Sequence, residues 1–232
     1  HQIVFVGFFI YAFSLGAMFP RLDDIQTSLE IDKAELGLLL LCIPLGLQVT
    51  LVFADRLVRA ISLKNIVCLG IPSICFTQFA AVAVNQIALF AFFLIICGAF
   101  VAVVEVAINL EADRVEHALG SRIMNRSHAF WSIGFFSAAV VGALFSQFKV
   151  MLEIHFLLVC GIAFLISKII FADYNVASPR HTNVTKIKKF SLPTGPIFVM
   201  VLFTMSAMLV EGASIDWSVI SVSYTHLRAH ET

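Results

Sequence analysis

Long stretches of this chain carry no Asp, Glu, Lys or Arg: residues 1–20, 36–54, 65–104, 127–148 and 190–210. A helix needs ~20 apolar residues to cross a ~30 Å hydrocarbon core. Each interval is therefore long enough for one crossing, and the 40-residue interval 65–104 is too long for one. It divides at the polar pair Asn85-Gln86, which predicts two helices joined by a tight turn. A further apolar run, 154–167, is bracketed by Glu153 and Lys168, whose side chains can reach the interfaces. The reading is an all-α polytopic membrane protein with seven spans, at 3–20, 36–54, 65–84, 87–110, 128–147, 150–172 and 196–219.

Composition closes off the other classes. The chain is 60% hydrophobic and 13% charged, with a mean hydropathy of +0.97. Soluble domains carry roughly a quarter charged residues, so too little polar surface is present here to coat a water-soluble globule. Disordered chains are poor in aromatics, whereas this one has 23 Phe. Zero net charge indicates no nucleic-acid partner. Cys42, Cys68, Cys75, Cys97 and Cys160 lie in apolar stretches without a CxxC pair, and read as small buried hydrophobes. No metal site or cofactor is expected.

Lys and Arg in the loops set orientation. Loops after spans 1, 3 and 5 hold Arg21, Lys33 and Lys149. Loops after spans 2, 4 and 6 hold Arg56, Arg59, Lys64, Arg114, Arg122, Arg126, Lys168, Arg180, Lys186, Lys188 and Lys189. This asymmetry places the N-terminus and the even loops in the cytoplasm of a multi-pass inner-membrane protein. The first loop is acidic (Asp23, Asp24, Glu30, Asp32, Glu35), as suits an outer face.

Residues 173–195, with Pro179, Pro193, Gly195 and a basic cluster, read as a cytoplasmic linker. They divide a six-helix bundle, 1–172, from a seventh helix, 196–221, that starts another unit. The chain opens on His1 inside an apolar run, and residues 222–232 are polar and unlike the helix before them. That string is similar to a translated sequencing adapter, so it reads as a non-native tail and the chain as a fragment.

Several local patterns occur in a telling order. Gly16-Ala17 precedes Arg21, then come Glu35-Leu-Gly37 and Gly46. Gly98-Ala99 leads into Glu105-Val-Ala-Ile-Asn109, followed by His128-Ala-Phe-Trp131-Ser-Ile-Gly134 and Glu211-Gly-Ala-Ser-Ile-Asp216-Trp-Ser218. Together with six spans, a basic linker and a seventh span, the set resembles the N-terminal half of a major facilitator superfamily transporter plus the first helix of its second half. The local match is closer to the fucose-permease-like branch. The loop after span 2 departs from the superfamily pattern, keeping Arg56, Arg59 and Lys64 but lacking the glycines. The sugar permease also has a functional carboxylate in its first span and residues 3–20 have none, so fucose is not carried over.

An ionisable group inside a span is costly and usually faces an interior cavity with a function there. Glu105, Glu211 and Asp216 qualify. Gly98, Ala102, Glu105 and Asn109 share one helical face. In the branch resembled, a Glu followed four residues later by Asn in this span is linked to proton coupling. That resemblance implies a proton-exchanging role for Glu105, with His128 as a relay partner. The plainer alternative is structural glue, Glu105 bonding to Asn109 and its neighbours. Trp131 either anchors the helix or lines the cavity. Gln48 and Tyr11 are the remaining polar side chains suited to hydrogen-bonding a solute, Glu211 falls past the midplane of span 7, and Asp216 lies near its outer end. Gly134, Ala138 and Gly142 form a small-residue ridge for helix packing.

The expected function is secondary active transport of a small polar solute, a sugar among the candidates. It would be driven by the proton gradient through alternating access, by a protein that is monomeric at full length and needs only lipid and solute as partners. The alternative is a non-transporting receptor or an intramembrane enzyme, although no HExxH, GxSxG or paired-His pattern occurs in the spans. A reporter fused after Lys189 should be cytoplasmic and one fused within 22–34 periplasmic; the reverse assignment would overturn the charge argument.

Overall fold

The computed structural model describes residues 1–84, 86–179 and 194–230. Helices account for its regular structure: α1 Gln2–Gly16, α2 Leu22–Ser28, α3 Lys33–Leu40, α4 Cys42–Ala60, α5 Leu63–Val82, α6 Ile87–Leu119, α7 Met124–Gln147, α8 Leu152–Phe171 and α9 Gly195–His230. A single 3-10 turn, Phe19–Arg21, joins α1 to α2. Among the described residues seven helical segments are long and apolar enough to cross a membrane. The protein is thus an all-α multi-pass membrane protein. It falls into two units, His1–Pro179 and Arg180–Thr232.

The helix boundaries have local causes. Asp32 accepts from the Glu35 backbone N–H while the Glu35 carboxylate accepts from the Asp32 N–H, a capping box that starts α3. The Ser62 hydroxyl oxygen caps α5 through the Asn65 N–H. The division inside 65–104 falls where the polar pair predicts it, with α5 ending at Val82 and α6 starting at Ile87; Asn85 itself lies outside the described residues, as do 180–193 of the linker. Gly120 closes α6 with φ +62°, a left-handed conformation that glycine adopts freely. One turn earlier, the Glu116 carboxylate accepts from the N–H groups of Ile123 and Met124 at 2.8 and 2.9 Å, and so caps the start of α7.

Two sequence-based boundaries shift. Residues 21–35 are not an open loop, because helix resumes at Leu22 and the first apolar segment runs on to Leu29. Span 4 does not stop at residue 110: α6 has 33 residues, about 50 Å of helix at 1.5 Å per residue. The sequence boundary falls just before Glu111, where charges become frequent, but that side chain is buried and does not mark an exit to water. Glu105 therefore lies 18 residues into α6 with 14 more beyond it, far from either helix end.

Within the first unit α4 pairs with α6, α1 with α7, and α5 with both α6 and α8. Glycines set these crossings. A Cβ at Gly46 would overlap the Ile95 carbonyl oxygen, and one at Gly98 would overlap the Ile43 carbonyl oxygen, so α4 and α6 meet backbone to backbone on both sides. Gly134 likewise abuts the Phe9 carbonyl, and Ala138 and Gly142 of the same ridge pack on Gly16 and Pro20. Lipid tails are as apolar as Leu, so only contacts this close favour helix–helix association over helix–lipid contact. Gly98→Ala or Gly46→Ala should each cost roughly 1–3 kcal/mol by overpacking. Gly161→Ala, which meets nothing within 4 Å, should be neutral or slightly stabilising. Thermal unfolding of the three purified variants checks the contrast.

Candidate functional site

Alternating helices put residues 21–32 and 150–155 at one end of the first unit, the acidic end. Residues 3, 64, 111 and 172–177 lie at the other, the basic end. Between them α1, α6 and α7 bring together three of the residues singled out from sequence. Tyr11 on α1 is 3% exposed, and its hydroxyl points at Glu105 Oε2 across a long 3.5 Å contact. Glu105 on α6 is exposed. Its carboxylate is thus held on one side by a buried phenol and open on the other. His128 on α7 is exposed, lies edge-on to Phe8 with ring centroids 5.3 Å apart, and is a neighbour of Glu105. Among the described residues no hydrogen bond joins the two.

Asn109, which the structural-glue alternative bonds to Glu105, reaches that residue's backbone. Its side-chain amide donates to the Glu105 backbone carbonyl at 2.9 Å. A spacing of one turn brings a short polar side chain to the carbonyl four residues earlier, where it competes successfully for the amide. Trp131 is half-buried and stacks on Phe135 at 5.2 Å, and Phe135 in turn meets Phe19 at 5.5 Å, an aromatic ladder along α7 towards the acidic end. Gln48 on α4 is exposed. The face shared by Gly98, Ala102, Glu105 and Asn109 changes character along its length: the two small residues are buried, and the two polar ones stand at or near the surface.

Two polar clusters escaped sequence reasoning. Arg21, counted there as a loop cation, is 2% exposed. Its guanidinium pairs with Asp24, donates to the Val150 carbonyl at 2.7 Å, and lies 3.3 Å from His155 Nδ1. Arg has donors only, so Nδ1 is the acceptor and the ring proton sits on Nε2. The rings of Phe145 and Phe156 enclose the imidazole. His155 had passed as one residue of an apolar run; a histidine inside a span was the signal. The second cluster, around Glu111, ties α6 to the chain leaving α8.

The chain is similar to proteins named as transporters. An uncharacterized transporter of Sinorhizobium fredii is 27% identical over 220 residues, covering 94% of this chain and 57% of that protein. An uncharacterized MFS-type transporter of Yersinia pestis is 25% identical over 220 residues, covering 93% of this chain and 55% of that protein. The chain thus spans little more than half the length of these curated relatives. No family model matches, and no solved structure matches.

In the second unit, Glu211 projects from α9 with its side chain exposed. Asp216 lies on the same helix, and its side chain falls outside what the structure describes. Helix α9 continues past residue 221 through His230.

Removing Arg21 would strand His155, Asp24 and the Val150 carbonyl together. Breaking a buried charged pair from one side costs roughly 3–5 kcal/mol, about 10 °C in Tm for a unit of this size. Arg21→Ala should show that loss in a thermal melt, whereas Asp23→Ala, next door on an exposed side chain, should leave Tm nearly unchanged.

Proposed function

We propose that this chain is the N-terminal half and seventh helix of a major facilitator superfamily transporter. In this reading the protein is a proton-coupled symporter of a small polar solute, in the fucose-permease-like branch that its local motifs resemble. The observation that carries the proposal is the exposed Glu105 carboxylate, backed by the buried Tyr11 hydroxyl and within reach of His128, in a stretch of the bundle where α1, α4 and the first 18 residues of α6 hold few other charges. Similarity to two proteins named as transporters over more than nine-tenths of the chain supports the same class. The excess of Lys and Arg at the basic end supports a cytoplasmic N-terminus.

Glu105 is the group that takes up and releases the proton. An ionised carboxylate is stable in water and costly out of it, so in this reading the charge state of Glu105 responds to what its open side meets. His128 is the neighbour that can exchange that proton, since an imidazole can both donate and accept one. Tyr11 acts on the solute only through Glu105, because its own hydroxyl is buried. Trp131, Asn109 and Gln48 are the remaining polar or aromatic side chains of the first unit suited to a solute; a sugar suits such a set. Rocking of two halves about a midplane site would expose it to each side in turn.

Glu105→Gln in the full-length protein mimics the protonated state. Proton-driven accumulation should fall to simple equilibration, while solute counterflow stays within about twofold. A variant that still concentrates solute against a gradient would remove Glu105 from the coupling role.

A further inference from the structure

The chain does not leave the six-helix unit where α8 ends. After Phe171, residues 173–179 have no regular structure, yet Tyr174, Val176 and Ala177 are half-buried while Asn175, Ser178 and Pro179 are exposed. This is an extended segment lying on the bundle with one side inward. Three bonds hold the chain from Ala172 onward. Lys64 Nζ donates to the Ala172 carbonyl. Glu111 Oε1 accepts from the Tyr174 hydroxyl at 2.6 Å and from the Ala177 N–H at 2.8 Å. Beneath the segment lies a small apolar cavity lined by Ile3, Val4, Leu63, Ile108, Phe171 and Val176, so that α1, α5, α6 and α8 all meet it.

Glu111 is the unusual member. It is 6% exposed, and its second oxygen, Oε2, has no partner. A buried carboxylate is tolerated only while hydrogen bonds compensate for lost water. Here the donors that do so come from the segment, not from the helices around it. Docking is therefore cooperative. With the segment in place Oε1 accepts two bonds; with it gone both oxygens lack a donor and Glu111 must rehydrate, which opens the cavity. The Tyr174 hydroxyl remains a donor, since burial and the adjacent Glu111 carboxylate push its ionisation well above the ordinary tyrosine value.

We infer that residues 173–179 form a strap that Glu111 pins to the basic end of the six-helix unit, closing the small cavity between α1, α5, α6 and α8. Glu111 thereby holds this segment without touching a solute, and the inference stands whether or not Glu105 couples protons.

Labelling of a cysteine introduced at Val176 by a membrane-impermeant maleimide, in the purified full-length chain, tests the pin. Val176→Cys should react at least tenfold more slowly than Asn175→Cys, whose side chain is already exposed. Adding Glu111→Gln or Tyr174→Phe should raise the Val176→Cys rate about tenfold and leave the Asn175→Cys rate unchanged. Tyr174→Phe deletes a single hydroxyl and keeps the ring, so it remains informative should the Glu111 variant fail to fold. Equal rates at 175 and 176 in the parent background, or no acceleration in Tyr174→Phe, would overturn the strap.

Discussion

Hydrocarbon solvates Leu and Phe as well as a protein interior does, so burying them provides little force to gather helices in a bilayer. What holds this bundle is close approach of backbone to backbone, and that is possible only where side chains are missing. Gly46 and Gly98 seat α4 and α6 on each other's carbonyls, and Gly134 seats α7 on Phe9 of α1. Those crossings register α4 against α6 and α7 against α1. The α1–α7 contact fixes Phe8 beside His128, and the same helix α1 sets Tyr11 against Glu105 on α6.

On that frame the polar side chains fall into three groups at different depths. Near one end Arg21, Asp24 and His155 form a buried, closely bonded knot between the α1–α2 junction and α8. Near the other Glu111 holds the chain that leaves α8. Between them Glu105 is held loosely, by one long contact, and is open on its far side. A group that must gain and lose a proton is served by few strong bonds, and groups that must join helices are served by many. The difference in bonding separates the role proposed for Glu105 from the structural roles of Arg21 and Glu111.

Pattern in the sequence was enough for the helices. Charge-free intervals gave seven spans that match seven membrane-capable helical segments, and the small-residue ridge on α7 packs as its spacing suggested. The polar sites were only partly legible. Glu105 stood out because a carboxylate between apolar neighbours has few innocent explanations. Glu111 did not, because a charge at the edge of an apolar run looks like the end of a span. Arg21 and His155 were hidden for related reasons, one resembling a loop cation and the other diluted in an apolar stretch. Asn109 shares a helical face with Glu105 in the sequence, and intrahelical geometry takes its amide to the Glu105 backbone carbonyl.

Sequence by itself determined the solvent of this protein, the number of its membrane-capable segments and the presence of carboxylates within them. These follow from local composition, since each crossing must satisfy its backbone within its own segment and bury few charges. Only the tertiary structure decided which polar groups meet. Tyr11 and Glu105 are separated by 94 positions, Arg21 and His155 by 134, and Glu111 and Tyr174 by 63. Such pairings depend on how glycine contacts rotate and slide whole helices against one another, and helical periodicity within a single segment carries no record of that choice.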